Sequence, residues 1–496
     1  MILFSIIILL LSNSVNNRRD LAILYNRVGM LILVYVILNY LMVYSLNLTD
    51  IALQGGLIKL TNISLMFGLF ILTMSILVLV LTSFTVKGCQ LPEYPLLLLM
   101  IIIGALILIS SNDLVTMFLA LEIQSYGLYT ICAIYRNSEV SVSGSLIYYL
   151  LGILGSSLIL LAIAIIYANT GSTRMDTISV LLNINSTAIY SDDWNISLVL
   201  LGAGFMFKIG AAPFHMWTPD VYDAIPTHIG AFVTFIAKVS IFVFLLQLIN
   251  VIENNYSLTF MILMCSLLSL IVGTVLGLTQ YRIKRLLAYS SISHIGFILL
   301  ALSLGTVESK LAFIFYLMQY IISNLNIWLI LVAIGLTLSS RTKSSDGKLY
   351  DMANSPVQLI SQLNGYYYRN PVLAISLTVT IFSFLGIPPL AGFFAKLLVL
   401  LAALDKGLIF LTLIGVITSV IGGIYYLGLV KEIFFTVPYF FYNNKKNQDR
   451  LAVEKITVPA PLALIISVIT IWILTYMLMD TLWISMAAVS AMSSPN

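Results

Sequence analysis

From end to end the chain alternates long apolar runs with short polar connections. The apolar runs fall at about 1–12, 23–45, 63–84, 95–111, 114–134, 143–168, 197–213, 226–250, 258–279, 285–304, 310–338, 371–402, 407–434 and 459–486. A helix crossing the ~30 Å hydrocarbon layer needs about 20 mostly apolar residues, so the pattern predicts an all-α polytopic membrane protein of about fourteen transmembrane helices. The first run, Met1 to Ser12, is the shortest. It looks like a signal-peptide core, but no basic residue precedes it, no small-residue cleavage site follows, and Arg18 and Arg19 come after it. It is therefore expected to be a first membrane segment. The long polar connections, 169–195, 339–370 and 436–458, are expected to be loops or surface helices.

Composition narrows this further. Of 496 residues 60% are hydrophobic and 9% charged, against roughly 25% charged in a soluble domain, which excludes a water-soluble fold and leaves no room for a soluble catalytic domain. The net charge of +4 is small and its basic residues are not interleaved with aromatics, so nucleic acid has no footprint here. Cys89, Cys132 and Cys265 lie far apart without metal-ligand spacing, and no run resembles an iron-sulfur, haem or dinucleotide motif. No redox centre and no bound metal is expected.

The basic residues test the helix count, because Lys and Arg concentrate on the side from which a membrane protein is inserted. With three mid-membrane lysines set aside, alternation places seventeen on one side, among them Arg18, Arg19, Arg27, Lys87, Arg282, Arg285 and Arg369. Only Lys59, Arg174, Lys310 and Lys406 fall on the other. A missed or invented helix in the middle would scramble that bias. Both termini are then expected on the poorly basic side.

Four ionisable residues fall inside the apolar runs. Glu122 is eight residues into the run that starts at Leu114, Lys208 is eleven residues into its own, and Lys238 is twelve residues past Pro226, about 18 Å along a helix. Lys396 lies in the run at 371–402. A charge at the bilayer centre costs at least ~2.5 kcal/mol on insertion scales, so such groups face a bundle interior or water. A structural ion pair accounts for Glu122 and one lysine. It does not account for the set, since one carboxylate cannot neutralise three lysines. A buried lysine readily loses its proton, and a nearby carboxylate restores the charge. Such mutual dependence suits a switchable proton line.

Two of the runs are interrupted by proline. Pro213 removes the hydrogen bond to the carbonyl of Ile209, just past Lys208, and Pro388 with Pro389 does the same to Phe384 and Leu385, upstream of Lys396. Freed carbonyls are tolerated in a membrane only where buried in protein or lining a cavity, so each break predicts water beside a lysine. The broken runs, seventh and twelfth, are five apart. That suggests two inverted five-helix repeats, an arrangement found in secondary transporters. The expected organisation is residues 1–94 as helices 1–3, residues 95–250 as the first repeat with helices 4–8, residues 258–434 as the second with helices 9–13, and residues 435–496 as a loop and helix 14. His294, within SSISHIGF, is either a packed polar group or a relay. His215 and His228 are path ends or, on the blander reading, interfacial hydrogen-bonding groups. Arg282, Lys284 and Arg285 are expected to be topology anchors at a helix start.

The stretch FKIGAAPFHMWTPDVYDAIPTHIGAFVTFIAKVSIF, then QYRIKRLLAYSSISHIGF and FLGIPPLAGFFAKLLVL, resembles the antiporter-like proton-channel subunits of respiratory complex I, over roughly segments 2 to 13. The resemblance implies a fourteen-helix fold with inverted repeats and a polar axis along the membrane centre. By motif position Glu122 and Lys208 would be the family's ion pair, Lys238 its central lysine and Lys396 the residue facing the exit half. It further implies a subunit of a proton-translocating NADH:ubiquinone reductase in the mitochondrial inner membrane, with basic loops on the matrix side. Such a chain binds no cofactor itself, since NADH, FMN, iron-sulfur clusters and ubiquinone belong to other subunits. Its partners would be the other membrane-arm subunits, including neighbouring antiporter-like chains, besides lipid and protons. Two rival readings remain open: a stand-alone cation/proton antiporter, and a structural membrane subunit whose charges have lost their role.

Overall fold

The computed structural model describes residues 2–15, 21–46, 51–85, 93–135, 138–184, 192–252, 256–339, 355–436 and 458–476. Among them are seventeen α-helices and one two-stranded hairpin. The helices are α1 Ile2–Val15, α2 Leu21–Ser45, α3 Asn62–Thr85, α4 Glu93–Ser110, α5 Leu114–Ala133, α6 Glu139–Thr170, α7 Met175–Ile184, α8 Asp192–Ile209 and α9 Trp217–Ala224. They continue with α10 Thr227–Val251, α11 Tyr256–Gly277, α12 Ile283–Leu304, α13 Val307–Ser339, α14 Pro371–Leu385, α15 Ala391–Asp405, α16 Ile409–Phe434 and α17 Ala460–Thr475. Each of the fourteen apolar runs carries helix. Ten helices are long and apolar enough to cross a membrane, while α1, α14 and α17 are shorter apolar helices. The expectations for Arg18, Arg19, Lys87, Cys89 and residues 477–486 lie outside the described residues.

Two compact units emerge. One holds α1 to α8, residues 232–251 of α10 and the start of α11 to Cys265. The other holds residues 218–231, the rest of α11 from Ser266, and α12 to α17. In the first unit α6 packs along α8 and α4 along α5. A Cβ on Gly104 of α4 would lie 2.8 Å from the backbone nitrogen of Gln124 and 3.0 Å from the carbonyl oxygen of Ala120. Only glycine admits so close an approach, the usual device for helix contact in lipid, where apolar side chains gain nothing by leaving the tails. In the second unit α12 and α13 are buried along nearly their whole length.

Local chemistry starts and stops the helices. Asp113 caps α5 by accepting from the Thr116 nitrogen, and Asn370 caps α14 ahead of Pro371. Gly171, Gly305 and Gly386 end α6, α12 and α14 in the left-handed region.

The connection at 169–195 contains the helix α7, within the expected loops or surface helices. The run at 371–402 is broken as expected, into α14 and α15 on either side of the proline pair. The structure departs from the sequence reading in one place. Residues 51–60, which carry no strand signal of useful length, form the hairpin Ile51–Leu53 with Ile58–Leu60. Its turn takes positive φ at Gln54, Gly55 and Gly56, and the Arg174 guanidinium donates to the Gly55 carbonyl oxygen. That tertiary contact, with the Asn112 nitrogen bonded to the Leu57 oxygen at 2.9 Å, holds strands too short to persist alone.

The α4–α5 contact sets the position of the helix that carries Glu122. Replacing Gly104 by Val is expected to destabilise the protein by about 1–3 kcal/mol through overpacking, read as a lower melting temperature of the isolated protein; an unchanged melting temperature would contradict the contact.

Candidate functional site

In the first unit, α5 and α8 bring Glu122 and Lys208 together. The ammonium Nζ lies 3.4 Å from Glu122 Oε1, with the two side chains 7% and 16% exposed for lysine and glutamate respectively. Tyr129, two turns past Glu122 on α5, presents its ring 6.0 Å from the same nitrogen. The ion pair matters because neither charge is cheap here. At 3.4 Å and an effective dielectric of about 20 the attraction is roughly 5 kcal/mol, comparable with the several kcal/mol needed to desolvate each ion. The pair is therefore near balance, and doubling its separation halves the attraction.

The helix bearing Lys208 ends at Ile209, one residue further on. Gly210, with φ 77°, closes it, its own nitrogen and that of Ala211 returning to the Met206 carbonyl. The Trp217 indole donates to the Phe207 carbonyl oxygen at 2.9 Å. Lys238 is buried in α10, 3% exposed. Two residues on, Ser240 Oγ donates to Gln124 Oε1 at 3.0 Å, tying α10 to the helix of Glu122.

In the second unit, Lys396 lies in the second turn of α15. Its ammonium donates to the Leu385 carbonyl oxygen at 3.0 Å and sits 5.5 Å from the Phe297 ring centroid. Leu385 is the residue whose carbonyl Pro389 cannot serve, so the lysine itself occupies the acceptor that the break sets free. His294, on α12, is buried between two hydroxyls: Nδ1 lies 2.8 Å from Tyr316 Oη, and Nε2 lies 3.2 Å from Tyr426 Oη. The Phe384 ring, immediately before Leu385, lies 4.7 Å from the imidazole. Both ring nitrogens of His294 thus have hydroxyl partners able to donate or accept. His215 and His228 are buried as well.

Arg282, Lys284 and Arg285 do more than mark a helix start. Arg282 pairs with Asp223 at 2.6 Å, Arg285 pairs with Asp220, and Lys284, 1% exposed, donates at 2.6 Å to both the Ile225 carbonyl oxygen and Ser355 Oγ. Positive charge at a helix N-terminus opposes the helix dipole; here the two aspartates of α9 answer it.

Sequence reading missed the hydroxyl and amide partners Tyr316, Tyr426, Gln124, Ser240, Gln319, Ser323 and Ser383. The signal was present in part, for Tyr316, Gln319, Tyr320 and Ser323 recur at helical spacing within a run counted only as apolar. Cys132 and Cys265 are buried and unpaired, and no group of three metal-donor side chains occurs among the described residues.

The comparisons agree on one family. Residues 111–422 match the family described as NADH:quinone oxidoreductase/Mrp antiporter, TM. The NADH-ubiquinone oxidoreductase chain 2 of Rhizopus oryzae is 41% identical over 458 residues, covering 88% of this chain and 86% of that one. The NADH-quinone oxidoreductase subunit N 1 of Rhizobium meliloti is 37% identical over 368 residues, 73% of each chain. Among solved structures, a chain of respiratory complex I from Thermus thermophilus is similar with a TM-score of 0.77 at 26% identity, covering 98% of both chains. A chain of the archaeal membrane-bound sulfane sulfur reductase shares the fold, with a TM-score of 0.81 at 23% identity over 99% of this chain and 96% of that one. The chain belongs to the NADH:quinone oxidoreductase/Mrp antiporter transmembrane family.

Proposed function

We propose that the chain is a membrane subunit of an NADH:ubiquinone oxidoreductase complex and moves protons along Glu122, Lys208, Lys238 and Lys396, with His294 as a relay. The observation that carries the reading is the 3.4 Å contact of Glu122 with Lys208 in a member of this family. The proton occupancy of a buried lysine depends on the distance of its counter-charge, so a small motion of α5 against α8 decides where a proton resides. Quinone reduction elsewhere in the complex supplies the motion, and the chain itself holds neither the flavin nor the iron-sulfur groups. Protons then pass from Lys238 towards Lys396, which faces the exit half. His294, between Tyr316 and Tyr426 hydroxyls, can take a proton at one nitrogen while releasing one at the other.

The fourteen-helix topology, with inverted repeats at 95–250 and 258–434, belongs to the same reading. So does the placement in the mitochondrial inner membrane, basic loops to the matrix and both termini to the intermembrane space. Two features support it. The relatives include mitochondrial-type chain 2 proteins of a fungus and a plant, Rhizopus oryzae and Arabidopsis thaliana. The ion pairs Arg282–Asp223 and Arg285–Asp220 join the connection after the seventh run to the one after the ninth, which alternation puts on one side of the membrane.

Three outcomes test the proposal. Lys238→Met in the assembled enzyme should lower proton translocation by at least several-fold; normal assembly with unchanged pumping would sink it, and ion exchange by the purified chain alone would favour the antiporter. In a double-mutant cycle, Lys208→Met or Glu122→Gln singly should destabilise, with about 3–5 kcal/mol expected for the change that strands a charge, while the double change costs less than the sum in thermal unfolding of the complex. The triplets starting at Asn47, Asn62, Asn185, Asn195 and Asn255 fit the glycosylation pattern, of which Asn47, Asn185 and Asn255 lie outside the described residues. Glycosidase treatment should leave the mobility of the native chain unchanged, whereas a shift would contradict the mitochondrial location.

A further inference from the structure

Beyond the charged line, α13 carries a buried polar face of which the mechanism uses only Tyr316. Tyr316, Gln319, Tyr320, Ser323 and Asn326 fall at i, i+3, i+4, i+7 and i+10, on one side of the helix, and none is more than 3% exposed. The face starts at the Tyr316 hydroxyl, 2.8 Å from His294. Gln319 Nε2 donates to Ser323 Oγ at 3.2 Å, and Ser383 Oγ on α14 donates to the same oxygen at 3.2 Å. Ser383 precedes by two residues the Leu385 carbonyl that receives Lys396. Gln319 Nε2 would lie 3.2 Å from a Cβ on Gly392, one turn before Lys396. The face therefore runs from the histidine to the helix break that holds the lysine.

Past Ser323 the polar groups lose their protein partners. Asn326 is fully buried, and neither Oδ1 nor Nδ2 has a hydrogen-bond partner among the described residues; Asn324 Nδ2, 4% exposed as a residue, has none there either. An unpaired buried amide costs about 1–3 kcal/mol, which leucine of similar size would avoid. Native interiors meet such groups with ordered water.

We infer that the α13 face from Tyr316 to Asn326 is a hydrated branch of the proton line, in which the Gln319 and Asn326 amides orient water and the Ser323 and Ser383 hydroxyls relay protons. The inference rests on the proton-line reading above. A side-chain amide does not titrate, so it holds water without trapping the proton. A hydroxyl does relay: Ser323 accepts from Gln319 and Ser383, and its own hydrogen is left for a third oxygen. In each hop an oxygen gains one proton and gives up another, with no net bond made or broken along the branch.

The test uses the intact complex with three variants. Asn326→Leu should preserve or raise the melting temperature, because it removes an unpaired amide, yet lower the protons moved per NADH oxidised at least twofold. Asn326→Ser, which keeps a water-binding group, should retain most of the pumping. Lys396→Met probes the reading beneath. If Lys396→Met is defective and Asn326→Leu pumps normally, the branch falls and the line stands; if both pump normally, the line itself falls. Should Asn326→Leu fail to assemble, the unaltered complex decides at a resolution that shows water. Ordered density within about 3.2 Å of the Asn326 amide atoms supports the branch, and a dry amide overturns it.

Discussion

A charge or an unbonded carbonyl inside a membrane must be satisfied by the protein itself, and in this chain helix ends satisfy lysines. Lys396 donates to the carbonyl of Leu385 at the end of α14, and Lys284 to that of Ile225 just past α9. Each helix terminus leaves carbonyls without intrahelical partners and carries the negative end of the helix dipole. The ammonium and the frayed end thus remove each other's cost. Glu122 with Lys208 is another solution, a carboxylate instead of a helix end.

The two kinds of partner differ in how they respond to motion. A helix-end carbonyl is fixed to its backbone and holds an ammonium through a directional bond, which is lost within about an ångström. A carboxylate attracts over a longer range that falls off only inversely with distance. The Glu122–Lys208 contact can therefore weaken progressively, while the Lys396–Leu385 bond is made or broken.

The first turn of α12 shows tertiary structure overriding a local rule. Arg282, Lys284 and Arg285 stand where a helix dipole disfavours cations, and no side chain caps that end. The acids of α9 and the carbonyl of Ile225 compensate, so α12, which carries His294 further along, is fastened at its start to the short helix α9. Reading these residues as topology anchors left out their partners, the acids of α9 and the Ile225 carbonyl.

How much of this is legible in the sequence depends on the range of the interaction. The fourteen apolar runs, the breaks at Pro213 and at Pro388 with Pro389, and the four buried charges follow from hydropathy and from the geometry of proline, both local properties. The hairpin at 51–60 was not visible, because a distant arginine and asparagine hold it. Pairing is where local reasoning ends. That Lys396 takes the very carbonyl freed by Pro389, that His294 lies between two tyrosines, and that Asn326 is left without a protein partner depend on which helix faces meet. By itself the sequence determined the membrane fold and the chemistry that had to be buried; the tertiary structure alone decided the partners, because in hydrocarbon every helix face is apolar enough to pack and only close contact selects among them.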